Sequence, residues 1–241
     1  MHKSNPSQII LGLIIFAIGA VLGIILITGS VVANLESTFY GFVRVTKEQL
    51  PTLRCPVFVT PSQSDKVTLS LTNNSNNPAR QVMHVEISSP GSFIQEQNPL
   101  VLQPGETQHF DWTLTKENVD LKRFIFISVL VYDASGSPRQ STCGMLYLNI
   151  PWLSGRAVLA LLVLLSGILM VGGYSIWTAN NQPLKDRRLD QSRAMKFLGL
   201  LILAGMFVSF QGWWLFGGLL LVMTVLMLGA LMFFLMPRVS W

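Results

Sequence analysis

The sequence predicts a membrane protein of four transmembrane α-helices carrying one all-β sandwich domain outside the cytoplasm. Three observations predict it. The 241-residue chain is 50% hydrophobic and only 12% charged, with mean hydropathy +0.48, whereas soluble domains carry about 25% charged residues. Long blocks free of charge supply the excess. Between the first two of them lies a polar segment, residues 33–152, of short alternating runs separated by turn residues.

The elements follow in order. Residues 1–8 read as a short tail and residues 9–32 as the first span, long enough for a bilayer core that takes about 20 residues. Val31-Val32-Ala33 also resembles a signal-peptide cleavage site. The apolar run exceeds the usual 7–15 residues of such a peptide, so an uncleaved anchor is the expectation. Residues 153–178 form the second span and 179–196 a basic loop. Residues 197–236 are too long for one crossing: at 1.5 Å per residue they reach about 60 Å against a core of about 30 Å. A hairpin is expected, turning near residues 211–214, where Gln211 is polar, Gly212 permits a turn, and Trp213 and Trp214 suit the interface. Residues 237–241 close the chain.

Charge orients this plan. "PLKDRRLDQSRAMK", residues 183–196, is the charge-dense stretch of the second half. Four crossings put Lys3, Lys185, Arg187, Arg188, Arg193, Lys196 and Arg238 on one side against only Asp186 and Asp190, a net +5. The other side, residues 33–156, has ten basic and ten acidic residues. The whole net charge thus sits on one face, which the positive-inside tendency assigns to the cytoplasm along with both termini. Lys185, Arg187, Arg188, Arg193 and Lys196 serve as a topology signal, with anionic lipid headgroups or an acidic partner loop as the alternative contact. Nucleic acid is not implied, and a bacterial inner or plasma membrane is the expected location.

In the external segment, "KVTLSLT" (66–72) aligns Val67, Leu69 and Leu71, and "QVMHVEIS" (81–88) aligns Met83, Val85 and Ile87. "TQHFDWTL" (107–114) aligns Gln108, Phe110, Trp112 and Leu114. "NNSNNPA", "SSPGS", "QPGE" and "ASGSP" punctuate these runs as turns. Such spacing without helical periodicity predicts an antiparallel sandwich. The stretch "VTLSLTNNSNNPARQVMHVEISSPGSF…LVLQPGETQHFDWTL" resembles the bacterial immunoglobulin-like domains of the CARDB and related groups over about residues 60–150. The resemblance implies an Ig-like fold. It carries no ligand motif, since such domains serve adhesion, carbohydrate-enzyme and assembly roles alike.

"RFIFISVLVYD" (123–133) is apolar on both faces: Phe124, Phe126, Leu130 and Tyr132 on one, Ile125, Ile127, Val129 and Val131 on the other. One face belongs to the core. The other is covered by the chain itself or docks on a partner subunit. The two cysteines, Cys55 and Cys143, both fall in the external segment, which favours a disulfide in an oxidising compartment, with two free thiols as the alternative.

Chemistry is harder to find. His84 and His109 sit on the polar faces of their strands near Glu86 and Asp111, and would approach a metal site only if those strands were neighbours. No GxSxG, GxGxxG, GxxxxGK[ST], HExxH or CxxC occurs. "NNS" (73–75) is a formal glycosylation acceptor or a plain turn. The spans hold no ionisable residue in their interiors, where proton and ion pathways place them; Gly19 and Gly23 instead suit close helix packing. The expectation is a non-enzymatic accessory subunit without cofactor, assembling with other membrane subunits through Gly19, Gly23 and the strand bearing Phe124, Phe126, Leu130 and Tyr132. Two other classes stand beside it: a cell-surface module for a glycan or peptide, and a part of a transporter or membrane enzyme.

Overall fold

The computed structural model describes residues 6–44, 48–62, 65–133, 137–184 and 187–235, and the chain divides into two compact units. The first, Val32–Leu159, holds seven strands among the described residues: β1 (Phe58–Val59), β2 (Lys66–Thr72), β3 (Ala79–Ser89), β4 (Ser92–Leu102), β5 (Thr107–Thr113), β6 (Phe124–Asp133) and β7 (Arg139–Tyr147). One sheet has the order β1-β7-β6-β3-β4 and the other pairs β2 with β5. All neighbours are antiparallel except β1, which runs parallel to β7.

The alternation read from the sequence places the core. Val67, Leu69 and Leu71 of β2 and Trp112 of β5 meet Met83, Val85 and Ile87 of β3 and Ile125, Ile127 and Val129 of β6. Burying each such aliphatic side chain contributes about 1.5–3 kcal/mol. The disulfide Cys55–Cys143 is present, with its sulfurs bonded and Cα atoms 6.6 Å apart, and it packs against this core.

One strand escapes the alternation signal. β4, "SFIQEQNPLVL", is an edge strand with mostly exposed side chains, so it lacks an apolar face to betray it. Its Pro99 is tolerated because an edge has no ladder partner on one side. The β3–β4 connection is the two-residue turn Pro90-Gly91, with Ser89 opposite Ser92 and Gly91 at φ +71°.

Helices enter and leave this unit. α1 spans Pro6–Phe39 and α2 Gly155–Asn180. The first span was expected to end at residue 32, where Asn34 and Glu36 lower the hydropathy. Hydropathy marks where apolar character stops, not where a helix must end, and α1 continues for seven residues more. Its Ala33 lies against β7 at Gly144, where any Cβ would collide with the Ala33 carbonyl. At the start of α2, the buried Asp65 carboxylate accepts the Gly155 N–H at 2.7 Å and the Thr60 N–H at 3.3 Å. It thereby satisfies a helix N-terminal donor and complements the dipole.

The second unit comprises Met1–Val31 and Ala160–Trp241. It contains the first part of α1, most of α2, and α3 (Arg187–Phe210) and α4 (Trp214–Leu235). α1, α2 and α3 are long and apolar enough to cross a membrane, and α4 is apolar over Trp214–Ala230. The expected hairpin turn is present, with Gly212 at φ +84° and Trp213 exposed beside it. The basic loop 179–196 is a correction: α3 already begins at Arg187, so its cationic residues from there to Lys196 are helical. Residues 6–8, read as tail, likewise belong to α1.

Candidate functional site

The outer face of the five-stranded sheet was the leading surface on the β unit, and part of it, around Phe126 and Phe93, is covered by the chain's own strap after α1. The Tyr40 ring lies 4.6 Å from Phe126 and 4.8 Å from Phe42, and Phe42 lies 6.1 Å from Phe93 on β4. The Tyr40 hydroxyl donates to Asp120 at 2.6 Å. Burial, reinforced by that carboxylate, pushes the phenol well above its ordinary value of 10.0. Phe126 is fully buried and is therefore not a partner surface, a correction to its expected role. Phe124, stacked 5.8 Å from Phe126, and Leu130 and Tyr132 stay half-buried. β6 is apolar on both faces because it is a central strand covered twice.

Beside this aromatic patch the same face carries a polar row. Glu86 of β3 is only 2% exposed, with His84 Nε2 at 3.4 Å and a hydrogen bond from Gln95 at 3.1 Å. Opposite it on β6, the buried Ser128 is 3.0 Å from the Gln140 amide, which also donates to the Val43 carbonyl at 2.6 Å. Sequence reasoning missed Glu86 as a buried group, since a strand's polar face normally faces water.

His84 and His109 are not brought together. His84 lies in the five-stranded sheet; His109 lies in the two-stranded sheet and contacts Ser70 at 2.8 Å, while Asp111 pairs with Lys66. Among the described residues no group of three or more His, Cys, Asp or Glu converges in a way that could hold a metal. The "NNS" asparagine is buried and fully engaged: Asn73 donates to the carbonyls of Asn77 and Leu102, both at 2.9 Å, and accepts from Ser75. The "PGE" of the quoted resemblance is turn chemistry. Gly105 adopts φ +75°, and Glu106 accepts from the Gln103 N–H at 2.7 Å and from Gln108 at 3.0 Å, which hold its carboxyl below the usual range.

Gly19 and Gly23 are also corrected, because their faces are occupied within the chain. A Cβ on Gly19 would lie 2.8 Å from both Met170 N and Ser166 O, and Ser166 Oγ donates to the Gly19 carbonyl at 2.8 Å. Gly12 meets Trp177 N at 2.7 Å in the same way, so the stripe permits backbone contact between α1 and α2. Gly23 faces Ile202 of α3. A small-residue stripe signals close packing but not whether the partner helix belongs to the same chain.

Of the cationic residues, Arg187, Arg188, Arg193 and Lys196 are exposed on α3, and Lys185, like Lys3 and Arg238, lies outside the described residues. Arg193 is 3.7 Å from Asp190. Lys196 Nζ sits 5.6 Å from the centre of the Tyr174 ring on α2, whose hydroxyl is 2.8 Å from Ser192 Oγ.

No protein-family model matches the sequence, nor does any curated protein. Similar solved structures include the CARDB domain of a Pyrococcus furiosus protein in complex with di-metal ions, at 14% identity and TM-score 0.30, covering 41% of this chain and 90% of that one. Superoxide reductase (neelaredoxin) from Ignicoccus hospitalis matches at 14% identity and TM-score 0.30, covering 40% and 78%. A Bacteroides uniformis β-glucuronidase matches at 16% identity and TM-score 0.27 over 35% of this chain, which spans only 11% of that protein's length. These are weak, partial resemblances of fold and bear on no function.

Proposed function

We propose that the chain is a non-enzymatic membrane accessory subunit. Its four helices span the bilayer, and its β unit is an Ig-like sandwich on the extracytoplasmic side. Both termini are cytoplasmic, and the whole assembles or stabilises a larger membrane complex. One observation carries the membrane part of this reading: every helix of the second unit presents bulky aliphatic or aromatic residues outward. Ile10 and Ile25 of α1, Ile168 of α2, Phe207 of α3 and Leu226 of α4 are each more than half exposed. Water-soluble folds rarely leave such contiguous apolar area uncovered, and lipid covers it without cost. The net +5 confined to the two tails and residues 183–196 supports the orientation.

The assembly part needs a surface not already used inside the chain. The outward face of α1 supplies one, an open apolar groove lined by Leu13, Ile14, Ala17, Ile18, Val21 and Ile25. Purification of the native protein in mild detergent tests the reading. A stoichiometric membrane partner, released when Ala17→Phe fills the groove, is the expected result. A monomer that retains a glycan or peptide would favour the binding-module class, and a protein extracted by alkaline carbonate would end the membrane reading.

A further inference from the structure

We infer that Arg188, Ser192 and Lys196 of α3, together with Tyr174 of α2, form a binding site for the phosphate of an anionic phospholipid headgroup. The inference rests on the membrane reading above and adds a specific occupant to the cationic end of α3. Residues 188, 192 and 196 are spaced i, i+4 and i+8, so they share one stripe of the helix. The middle residue fixes where that stripe points: Ser192 is 2% exposed and contacts the Tyr174 hydroxyl at 2.8 Å, so the stripe runs along the α2–α3 seam.

Arg188 and Lys196 flank this hydroxyl pair from either side, about 12 Å apart along the axis, within joint reach of two long side chains. Lys196 already leans toward the seam, over the Tyr174 ring. Neither cation has a carboxylate partner among the described residues, whereas Arg193, on another face, is beside Asp190. Two cations with no carboxylate partner among the described residues, set on either side of a hydroxyl pair, match a phosphate's need for charge-assisted donors. Phe197, directly after Lys196, opens the apolar part of the helix, which sets the site at headgroup depth, where Lys and Arg snorkel. A bilayer lipid fits this placement better than a soluble anion.

The test uses the full chain in mild detergent and native mass spectrometry with phosphatidylglycerol or phosphatidylcholine added. The wild type should retain phosphatidylglycerol preferentially. R188Q/K196Q should lose most of that preference, since it removes both cations that would contact the phosphate. R187Q/R193Q, with the same change in net charge, should keep most of it. Equal losses in the two variants, or no preference in the wild type, would overturn the site. Displacement by millimolar inorganic phosphate alone, or by an acidic peptide, would overturn the lipid assignment. Flotation with phosphatidylcholine vesicles separates the two levels: wild type that fails to float refutes the membrane reading, and wild type that floats without lipid preference refutes only this site.

Discussion

Replacing Gly19 with alanine is the smallest change that tests how the helices pack. The added Cβ would stand 2.8 Å from two backbone atoms of α2, Met170 N and Ser166 O, and 2.9 Å from Leu169 Cβ, where ordinary contact is 3.4–4 Å. Backbone cannot rotate away, so α1 and α2 must separate by about 0.6 Å or more, with an overpacking cost of about 1–3 kcal/mol. The Ser166–Gly19 hydrogen bond, 2.8 Å long, would lengthen as well; bonds between membrane helices are worth about 0.6–1.7 kcal/mol. Together Gly19→Ala should destabilise the chain by about 2–4 kcal/mol. Gly167→Ala on α2 is the control: its Cβ meets nothing within 4 Å, and helix propensity favours alanine by up to about 1 kcal/mol. Denaturant unfolding in mixed micelles, followed by tryptophan fluorescence, reads both. Equal stability of the two variants would refute the close α1–α2 approach, and loss of a partner with unchanged stability would restore Gly19 as an intermolecular contact.

Further outcomes follow from single contacts. Cys143→Ser removes a bridge across 88 residues; in the chain-entropy model it should cost the β unit on the order of 4 kcal/mol, seen as a lower thermal midpoint with unchanged membrane insertion. Asp65→Ala leaves the Gly155 N–H without its buried acceptor and should cost about 1–3 kcal/mol in denaturant titration, with Asp65→Asn recovering part of it. Tyr40 has a folded-state pKa raised above its unfolded 10.0, so its stabilising contribution is complete below that value and declines as pH rises beyond it. Tyr40→Phe should flatten this alkaline decline in melts between pH 8 and pH 11, and an unchanged slope would discount the strap contact.

The legible parts of the fold were those with one-sided patterns. Val67, Leu69 and Leu71, or Met83, Val85 and Ile87, announce their faces because one side of each strand meets the core and the other does not. The turn at Gly212 was readable because a 40-residue apolar block has to fold back. β4 was not, since an edge strand such as "FIQEQN" buries too little to leave a period. The burial of Phe126 depends on where Tyr40 returns across the sheet, a contact between positions more than 80 residues apart in sequence. Gly19 illustrates a different limit: a stripe of small residues specifies that backbones approach, while the chain's own topology chooses α2 as the neighbour. The helical state of Arg187 to Lys196 was hidden because charge suggested a loop, although Arg, Lys, Gln and Met are all good helix formers.

The central claim is the transmembrane arrangement, and thiol accessibility on intact cells addresses it most directly. Asn76 and Gln182 are both exposed, and Cys55 and Cys143 are bonded to one another, so a cysteine introduced at either exposed position reports alone. An impermeant maleimide added outside should label Asn76→Cys at once and Gln182→Cys only after the membrane is permeabilised. Labelling of Gln182→Cys from outside, with Asn76→Cys protected until permeabilisation or equally reactive, would contradict the account.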